Sequence, residues 1–359
     1  MKILILANND VGLYQFRREL IEELLRENEV YISLPYGDFI PKLQEMGCCY
    51  IDTFMERRGM NPIRDLRLLF SYLGMMKKLQ PDLVITYTIK PNVYGGFAAR
   101  LQGIPYFINI TGLGTAFQHD GLLRKLVTWM YKLSCKKAKV VFFENSENRR
   151  IFLDEKIVNE EQTCLLNGAG VNLSHYQLQD YPGGEITKFL FVGRVMKEKG
   201  IEELFTAMKR LIAEGILCCL DILGGYEEDY KDRMEAYAAE GWLHYHGYQA
   251  DVRPFIAQCH CFVLPSWHEG MANTNLECAA SGRPVITSNI HGCMEAVEDG
   301  VTGFLCEKKN PEDLYQVMKQ FTEMPSEQRK AMGLSGRELM EALFDKKLVV
   351  EKTINHLMK

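Results

Sequence analysis

Short apolar runs alternate with longer segments of helical spacing along the whole chain. Residues 2–7 are almost wholly apolar, and the polar run Asn8-Asn9-Asp10 follows with Val11, Gly12 and Leu13. From about residue 14 to 27, apolar positions recur at three- and four-residue intervals. Strand, glycine loop and helix in that order form the opening unit of a doubly wound sheet, whose loop lies at the carboxyl edge where ligands bind. The alternation continues with strands at 30–34, 49–53, 82–86, 104–110 and 140–143. Helices are predicted over 39–45, 62–78, from the loop at 87–96 to Gln102-Gly103, and over 122–140. A polar stretch with Pro182-Gly183-Gly184 at 176–187 reads as a linker. The pattern then restarts: strands at 188–192, 217–223, 242–246, 261–264 and 284–287, with helices at 201–214 and 251–257 among them.

Length and charge narrow this picture. A chain of 359 residues suits two domains rather than one core. A net charge of -5 argues against a dedicated nucleic-acid binder. No stretch of 18 apolar residues suggests a spanning helix, and the start MKILILAN reads as a first strand rather than a leader. Eleven cysteines are scattered through apolar segments, which favours reduced structural thiols in a cytoplasmic setting. Cys259 and Cys261 flank His260, but alternation along a strand explains that spacing better than a metal does. Segment 122–140 differs in kind. Arg124, Lys125, Lys132, Lys136, Lys137 and Lys139 accompany Leu123, Leu126, Trp129 and Tyr131 at helical spacing. A basic amphipathic helix of this composition suits an anionic membrane surface, although part of its apolar side must serve the core.

The segment 264–287 carries the candidate chemistry. It reads as a strand end, a loop His268-Glu269-Gly270-Met271, a helix capped by Asn273 or Thr274 and ended by Ser281-Gly282, and a strand beginning at Pro284. A helix N-terminus behind a glycine loop offers backbone N–H groups to an anion. Glu277, about one turn in, is placed to accept from ribose hydroxyls, and Glu269 lies at the loop mouth, where a sugar carried by the phosphates would sit. The plainer reading of both is two solvated glutamates beside an ordinary helix.

The flanking residues resemble the retaining GT-B glycosyltransferases of family four, whose hallmark is Glu-x7-Glu in a fixed setting. Pro265-Ser266, Glu269-Gly270, Glu277, Ala279, Gly282 and Pro284-Val285 stand in register with it, with a departure to Cys278 where alanine is usual. Gly193-Arg194 and Lys199-Gly200 match the family's second motif, G-R-x(4)-K-G. There the arginine and lysine grip the nucleotide diphosphate, a planar fork beside a movable point charge. The resemblance implies donor contacts from Gly193 and from Gly270, Met271, Ala272 and Asn273. It implies base contacts from Gly247-Tyr248, and a cleft facing the acceptor lined by Gly12, Thr111, Gly112 and Gly114. The loop Thr111-Gly112-Leu113-Gly114 matches a variant found in members that build surface polysaccharides and lipid-linked glycans. It stands where many relatives carry a donor-contacting histidine, so no catalytic histidine is expected; His119, nearby, reads as a solvated loop-tip residue.

The resemblance covers nearly the whole chain. The expected fold is α/β, GT-B: two Rossmann-like doubly wound domains facing across a cleft. Residues 1–170 form the acceptor domain, with a last helix at about 344–359 crossing back to it, and 171–343 form the nucleotide-sugar domain. The expected reaction is retaining transfer of a hexose or N-acetylhexosamine from a UDP-sugar to a polyprenyl-diphosphate-linked saccharide, as in bacterial capsule, exopolysaccharide or glycan assembly. Glu269, Arg194 and Lys199 are the expected catalytic residues. No Asp-x-Asp metal motif is present, so no metal and no cofactor are expected. The expected location is the inner face of the cell membrane, as a peripheral protein. A nucleotide-sugar 2-epimerase on the same architecture, and a non-catalytic partner subunit that only binds nucleotide sugar, are the alternatives.

Overall fold

The computed structural model describes residues 1–55, 61–114, 117 and 121–358. Thr115, Ala116, Gln118, His119 and Asp120 lie outside the described residues, so the expectation for His119 finds no structural counterpart. The chain divides into two compact units, Met1–Ala169 with Lys347–Lys359, and Gly170–Lys346.

The first unit holds a seven-stranded parallel sheet of β1 (Lys2–Leu6), β2 (Glu29–Leu34), β3 (Cys49–Asp52), β4 (Leu83–Tyr87), β5 (Tyr106–Ile110), β6 (Val140–Phe143) and β7 (Thr163–Leu165). Their spatial order is β3-β2-β1-β4-β5-β6-β7. The second unit holds a six-stranded parallel sheet of β8 (Thr187–Val192), β9 (Cys218–Leu223), β10 (Leu243–Gly247), β11 (Cys261–Leu264), β12 (Val285–Ser288) and β13 (Gly303–Cys306), ordered β10-β9-β8-β11-β12-β13. Parallel strands with both faces covered need near-continuous apolar sequence, and β4, β5, β11 and β12 are buried throughout. Each sheet reverses its strand order once, between β1 and β4 and between β8 and β11. Such switch points splay the loops at the carboxyl edge apart and leave a crevice there.

Two apolar clusters sandwich the first sheet. One includes Leu4, Val84, Tyr106 and Phe143; the other includes Ile3, Ile5, Ile85 and Phe142 and takes in Val349 and Leu357. The last two residues belong to the final helix, Lys346–Leu357, whose Lys352 donates to the Leu165 carbonyl at 2.9 Å. A single large cluster around Phe189, Phe191, Phe262 and Ile286 forms the core of the second unit. Ten of the eleven thiols are buried and Cys49 is exposed; all are free.

Three elements differ from their sequence reading. The first helix starts at Asp10, not near residue 14, because the polar run before it is a cap: the Asn9 side chain accepts from the Gly12 N–H at 2.7 Å. Gly12 therefore sits in a helical turn rather than a loop. The basic helix is Leu122–Cys135 and stops five residues short of 140. Tyr106 ends it, its hydroxyl donating to the Ser134 carbonyl at 2.6 Å and accepting from the Lys137 N–H, and the Lys139 N–H then bonds the Tyr106 carbonyl. The stretch before β8 is not a free linker. The fully buried Arg283 guanidinium donates to the carbonyls of Gln179, Asp180, Ile256 and Ala257, and the Tyr181 hydroxyl donates to the His260 carbonyl.

Candidate active site

The two motif-bearing loops of the second unit leave the two strands that flank its switch point. β8 ends at Val192 and runs into Gly193-Arg194, then a 3-10 turn Lys197–Lys199. β11 ends at Leu264 and runs into Pro265-Ser266 and Glu269. The loops are fastened together by backbone. The Trp267 N–H bonds the Glu198 carbonyl at 2.9 Å, and Gly200, at φ +73°, lies so close to Pro265 that a Cβ there would be 2.0 Å from the Pro265 oxygen.

That fastening places Lys199 Nζ in an ion pair with Glu269 Oε1, both largely shielded from water. The fully buried Ser266 hydroxyl donates to the same oxygen at 2.7 Å. The two residues that the sequence nominates from motifs 70 positions apart thus form one hydrogen-bonded unit. Arg194 is not part of it: it is half exposed and pairs with Glu227 at 3.4 Å, in the loop after β9. That loop runs alongside, with the Val195 N–H on the Gly225 carbonyl and the Glu227 N–H on the Val195 carbonyl.

Behind Glu269 the helix Asn273–Ala280 begins without the expected side-chain cap. Ala272 occupies the N-cap, and its N–H is taken by the Gly292 carbonyl at 2.7 Å; the Asn273 N–H bonds Met271. Tertiary backbone pairing thus replaces the Asn273 or Thr274 cap, and it engages two of the N–H groups expected to face a donor. Asn273 instead presents a buried side-chain oxygen with no partner among the described residues. Gly292, at φ +90°, backs the loop: a Cβ there would come within 2.6 Å of the Glu269 carbonyl oxygen. The segment 289–295 is therefore the floor under Glu269 and Gly270. Gly193 bonds Leu223 through its N–H, and Gly247 accepts from Gly224 at 2.8 Å, which leaves Tyr248 projecting into solvent beside it.

Glu277 is half-buried inside the same helix. Burial pushes its carboxyl up from 4.5 to about 7, against the opposing effects of the Tyr176 hydroxyl hydrogen bond and the Lys346 ammonium. A raised acid binds more protons folded than unfolded, so its stability contribution is present below 4.5 and is lost as pH rises through about 7. Unfolding in urea at pH 5 and pH 8 should therefore differ by about 1–3 kcal/mol more in the parent than in Glu277→Gln. An equal slope in both proteins would show that Glu277 ionises as an ordinary surface carboxylate.

In the first unit the nominated residues fall at the carboxyl edge of the sheet. Gly12 is in the helix after β1, and Thr111, Gly112 and Gly114 follow β5. A residue the sequence does not single out lies closer to the switch point. Thr88, directly after β4, is a β-branched residue at φ +71° whose buried hydroxyl has no partner among the described residues. Beside that edge, Arg17 and Glu144 form a buried ion pair, with the guanidinium 5.1 Å from the Tyr87 ring centre. No local pattern marks Thr88, Tyr176 or Glu227, whereas Ser266 belonged to a legible motif and Gly292 to the stretch HGCMEAV, which also resembles the family.

The loops can thus offer a shielded cation, a carboxylate and a half-exposed guanidinium at a sheet switch point, a set suited to an anionic donor. Comparisons with known proteins agree with that chemistry. Residues 183–339 match the family model described as Glycosyl transferases group 1, and residues 2–145 match Glycosyl transferase 4-like. The chain is 26% identical to the N,N'-diacetylbacillosaminyl-diphospho-undecaprenol alpha-1,3-N-acetylgalactosaminyltransferase of Campylobacter jejuni, over 98% of this chain and 97% of that one. It is 30% identical to a glycosyltransferase of Methanocaldococcus jannaschii, over 72% and 81%. In fold it is similar to Anabaena HepE, solved in complex with UDP and glucose, with a TM-score of 0.83 at 16% identity over 100% and 99% of the two chains. With both halves matched and the sheets ordered as two doubly wound units, the chain belongs to the GT-B glycosyltransferases of group 1, the four-like family.

Proposed function

We propose that this glycosyltransferase moves a hexose or N-acetylhexosamine from UDP to a saccharide on a polyprenyl diphosphate, with retention at the anomeric carbon, in bacterial surface-glycan assembly. The observation that carries the reading is the Lys199–Glu269 pair at the switch point of the second sheet. An incoming diphosphate competes with Glu269 for the Lys199 ammonium. Arg194, held by a partly exposed pair, can turn from Glu227 to the same phosphates. The freed Glu269 carboxylate, steadied by Ser266, then faces the sugar and stabilises positive charge developing at C1. The departing diphosphate takes the acceptor proton, so the displacement occurs on one face of the sugar. Glu277 accepts from ribose hydroxyls, Gly247-Tyr248 receive the uracil, and the N–H groups of Gly270 and Met271 join the two cations at the phosphates. Two protein cations at the diphosphate make a metal unnecessary.

The first unit is proposed to take the acceptor near Gly12, Thr88 and Thr111–Gly114. The polyprenyl diphosphate follows from the named acceptor of the Campylobacter relative, which is matched along nearly its whole length. Among the described residues no helix is long and apolar enough to cross a membrane. The helix Leu122–Cys135 turns Leu122, Leu126 and Trp129 outward together with Lys125 and Lys132, and Lys136, Lys137 and Lys139 follow it. We assign this surface to peripheral contact with the anionic inner face of the membrane.

The test is nucleotide release from UDP-, GDP- and ADP-sugars, with and without a polyprenyl-diphosphate saccharide in anionic liposomes. Acceptor-dependent UDP release that withstands EDTA and is lost in Arg194→Ala and Glu269→Ala is the expected result. Epimerised sugar without acceptor, or nucleotide binding without turnover, would replace the proposal with an epimerase or a binding subunit. In the same assay Lys136→Glu with Lys137→Glu should slow turnover on liposomes and spare a water-soluble acceptor. Equal loss on both acceptors would remove the membrane role.

A further inference from the structure

The second sheet carries another cluster of chemistry at its open edge. β10 is the edge strand and pairs in parallel with β9, with His244 opposite Asp221. Because side chains alternate along a strand, Cys219 and Asp221 share one face of β9, and His244 stands opposite Asp221 on β10; the register of β10 shifts between Tyr245 and Gly247, at His246. Among the described residues, the Cys219 thiol, the Asp221 carboxylate and the His244 ring form the one group of three such donors whose atoms all lie within 4.8 Å of one another. His244 Nδ1 is 3.5 Å from Asp221 Oδ1, and His246 Nε2, outside that group of three, is 2.7 Å from the same oxygen.

We propose that Cys219, Asp221 and His244 bind a single divalent ion of the zinc class, with His246 steadying the Asp221 carboxylate and water completing the shell. The distances suit it. Metal bonds of roughly 2.0–2.3 Å put tetrahedral ligand atoms roughly 3.3–3.7 Å apart; the His244–Asp221 distance of 3.5 Å meets that, and the 4.8 Å bound on the three donors leaves side-chain adjustment to bring the thiol in. The donor set suits it as well. One sulfur, one imidazole nitrogen and one carboxylate oxygen select a borderline ion over magnesium or calcium, which favour oxygen alone. When the ion enters, the Cys219 proton leaves to solvent, and thiolate and carboxylate together neutralise the two positive charges.

The surroundings fit a built site. Cys219 is buried, Asp221 and His246 are partly shielded, and His244 is half exposed, so the donors grade from interior to surface and leave an entry path. The Phe255 ring packs against His246 at 4.7 Å between centres and fixes one wall. Lys188, opposite Cys219 on β8, is the cation on this face, and its long stem lets the ammonium withdraw to solvent. His246 directly precedes Gly247 and Tyr248. An ion held beside it pins the edge strand at the root of that loop, a structural role separate from the transfer chemistry.

The experiment uses the full chain, stripped with a chelator and titrated with cobalt(II) as an optical probe, then with zinc(II) as competitor. The expected result is a thiolate-to-cobalt charge-transfer band that saturates at one ion per chain and is displaced by zinc. Cys219→Ser should lose the band. His244→Ala, at a surface position that leaves the fold intact, should weaken cobalt binding at least about tenfold. Cys49→Ser, which removes the exposed thiol, should leave the titration unchanged. Absence of a saturable band, a band that survives in Cys219→Ser, or His244→Ala binding as tightly as the parent would each overturn the assignment.

Discussion

Lys199→Ala lowers the rate of sugar transfer by about 10²–10³-fold, the scale seen when one preorganised group that stabilises developing charge is removed. The geometry makes the effect specific. Lys199 sits on a turn held by Gly200 against Pro265 and by Glu198 against Trp267, so its ammonium is positioned before any donor binds. Water cannot stand in for it, since the pair with Glu269 is largely shielded. Truncation also leaves the Glu269 carboxylate with Ser266 as its remaining partner, which costs about 1–3 kcal/mol of stability. The two consequences separate in a double-mutant cycle. Lys199→Met with Glu269→Gln regains much of the lost stability but none of the transfer rate. Turnover of Lys199→Ala within threefold of the parent would show that the leaving diphosphate does not depend on this cation.

Gly200→Ala should cost about 3–5 kcal/mol, a large loss for a single added methyl group. The added Cβ would sit 2.0 Å from the Pro265 oxygen and 2.6 Å from its carbon, atoms of a backbone that cannot rotate away. The left-handed φ of +73° adds roughly 1–2 kcal/mol of its own. Gly241 supplies the control. Its φ is +85° and nothing lies within 4 Å of its Cβ position, so Gly241→Ala measures the conformational penalty without the clash. Urea unfolding of both variants therefore isolates the close approach by difference. Similar losses in the two would mean that the turn and the Pro265 loop separate easily, and that Lys199 is not held as described.

The sheet strands were legible because parallel strands covered on both faces must be apolar almost throughout, as β11 and β12 are. Lys199 and Glu269 were legible as members of spaced motifs. Their mutual ion pair was not, since the contact depends on which strands flank the switch point and not on local spacing. The same holds for Tyr176 on Glu277 and Glu227 on Arg194, each joining segments that are remote in sequence. Helix limits failed where polarity was ambiguous. Asn8-Asn9-Asp10 has the composition of a loop yet serves as a cap and first turn, and Lys136-Lys137 is as well solvated in a turn as in a helix. The cap at Ala272 could not be read from residue type, because a backbone carbonyl from Gly292 does that work.

The return of the final helix to the first unit sets an order of events during synthesis. Val349 and Leu357 fill one apolar cluster of that unit, yet they are made only after the whole of Gly170–Lys346. At about 5–20 residues per second, the ribosome takes roughly 10–35 s to cross that interval. Throughout it, the nascent first unit lacks Val349 and Leu357 from its apolar cluster and the His356 ring from Phe142, apolar surface that a chaperone holding aliphatic segments would recognise. The second unit is closed before the first, although it is begun later.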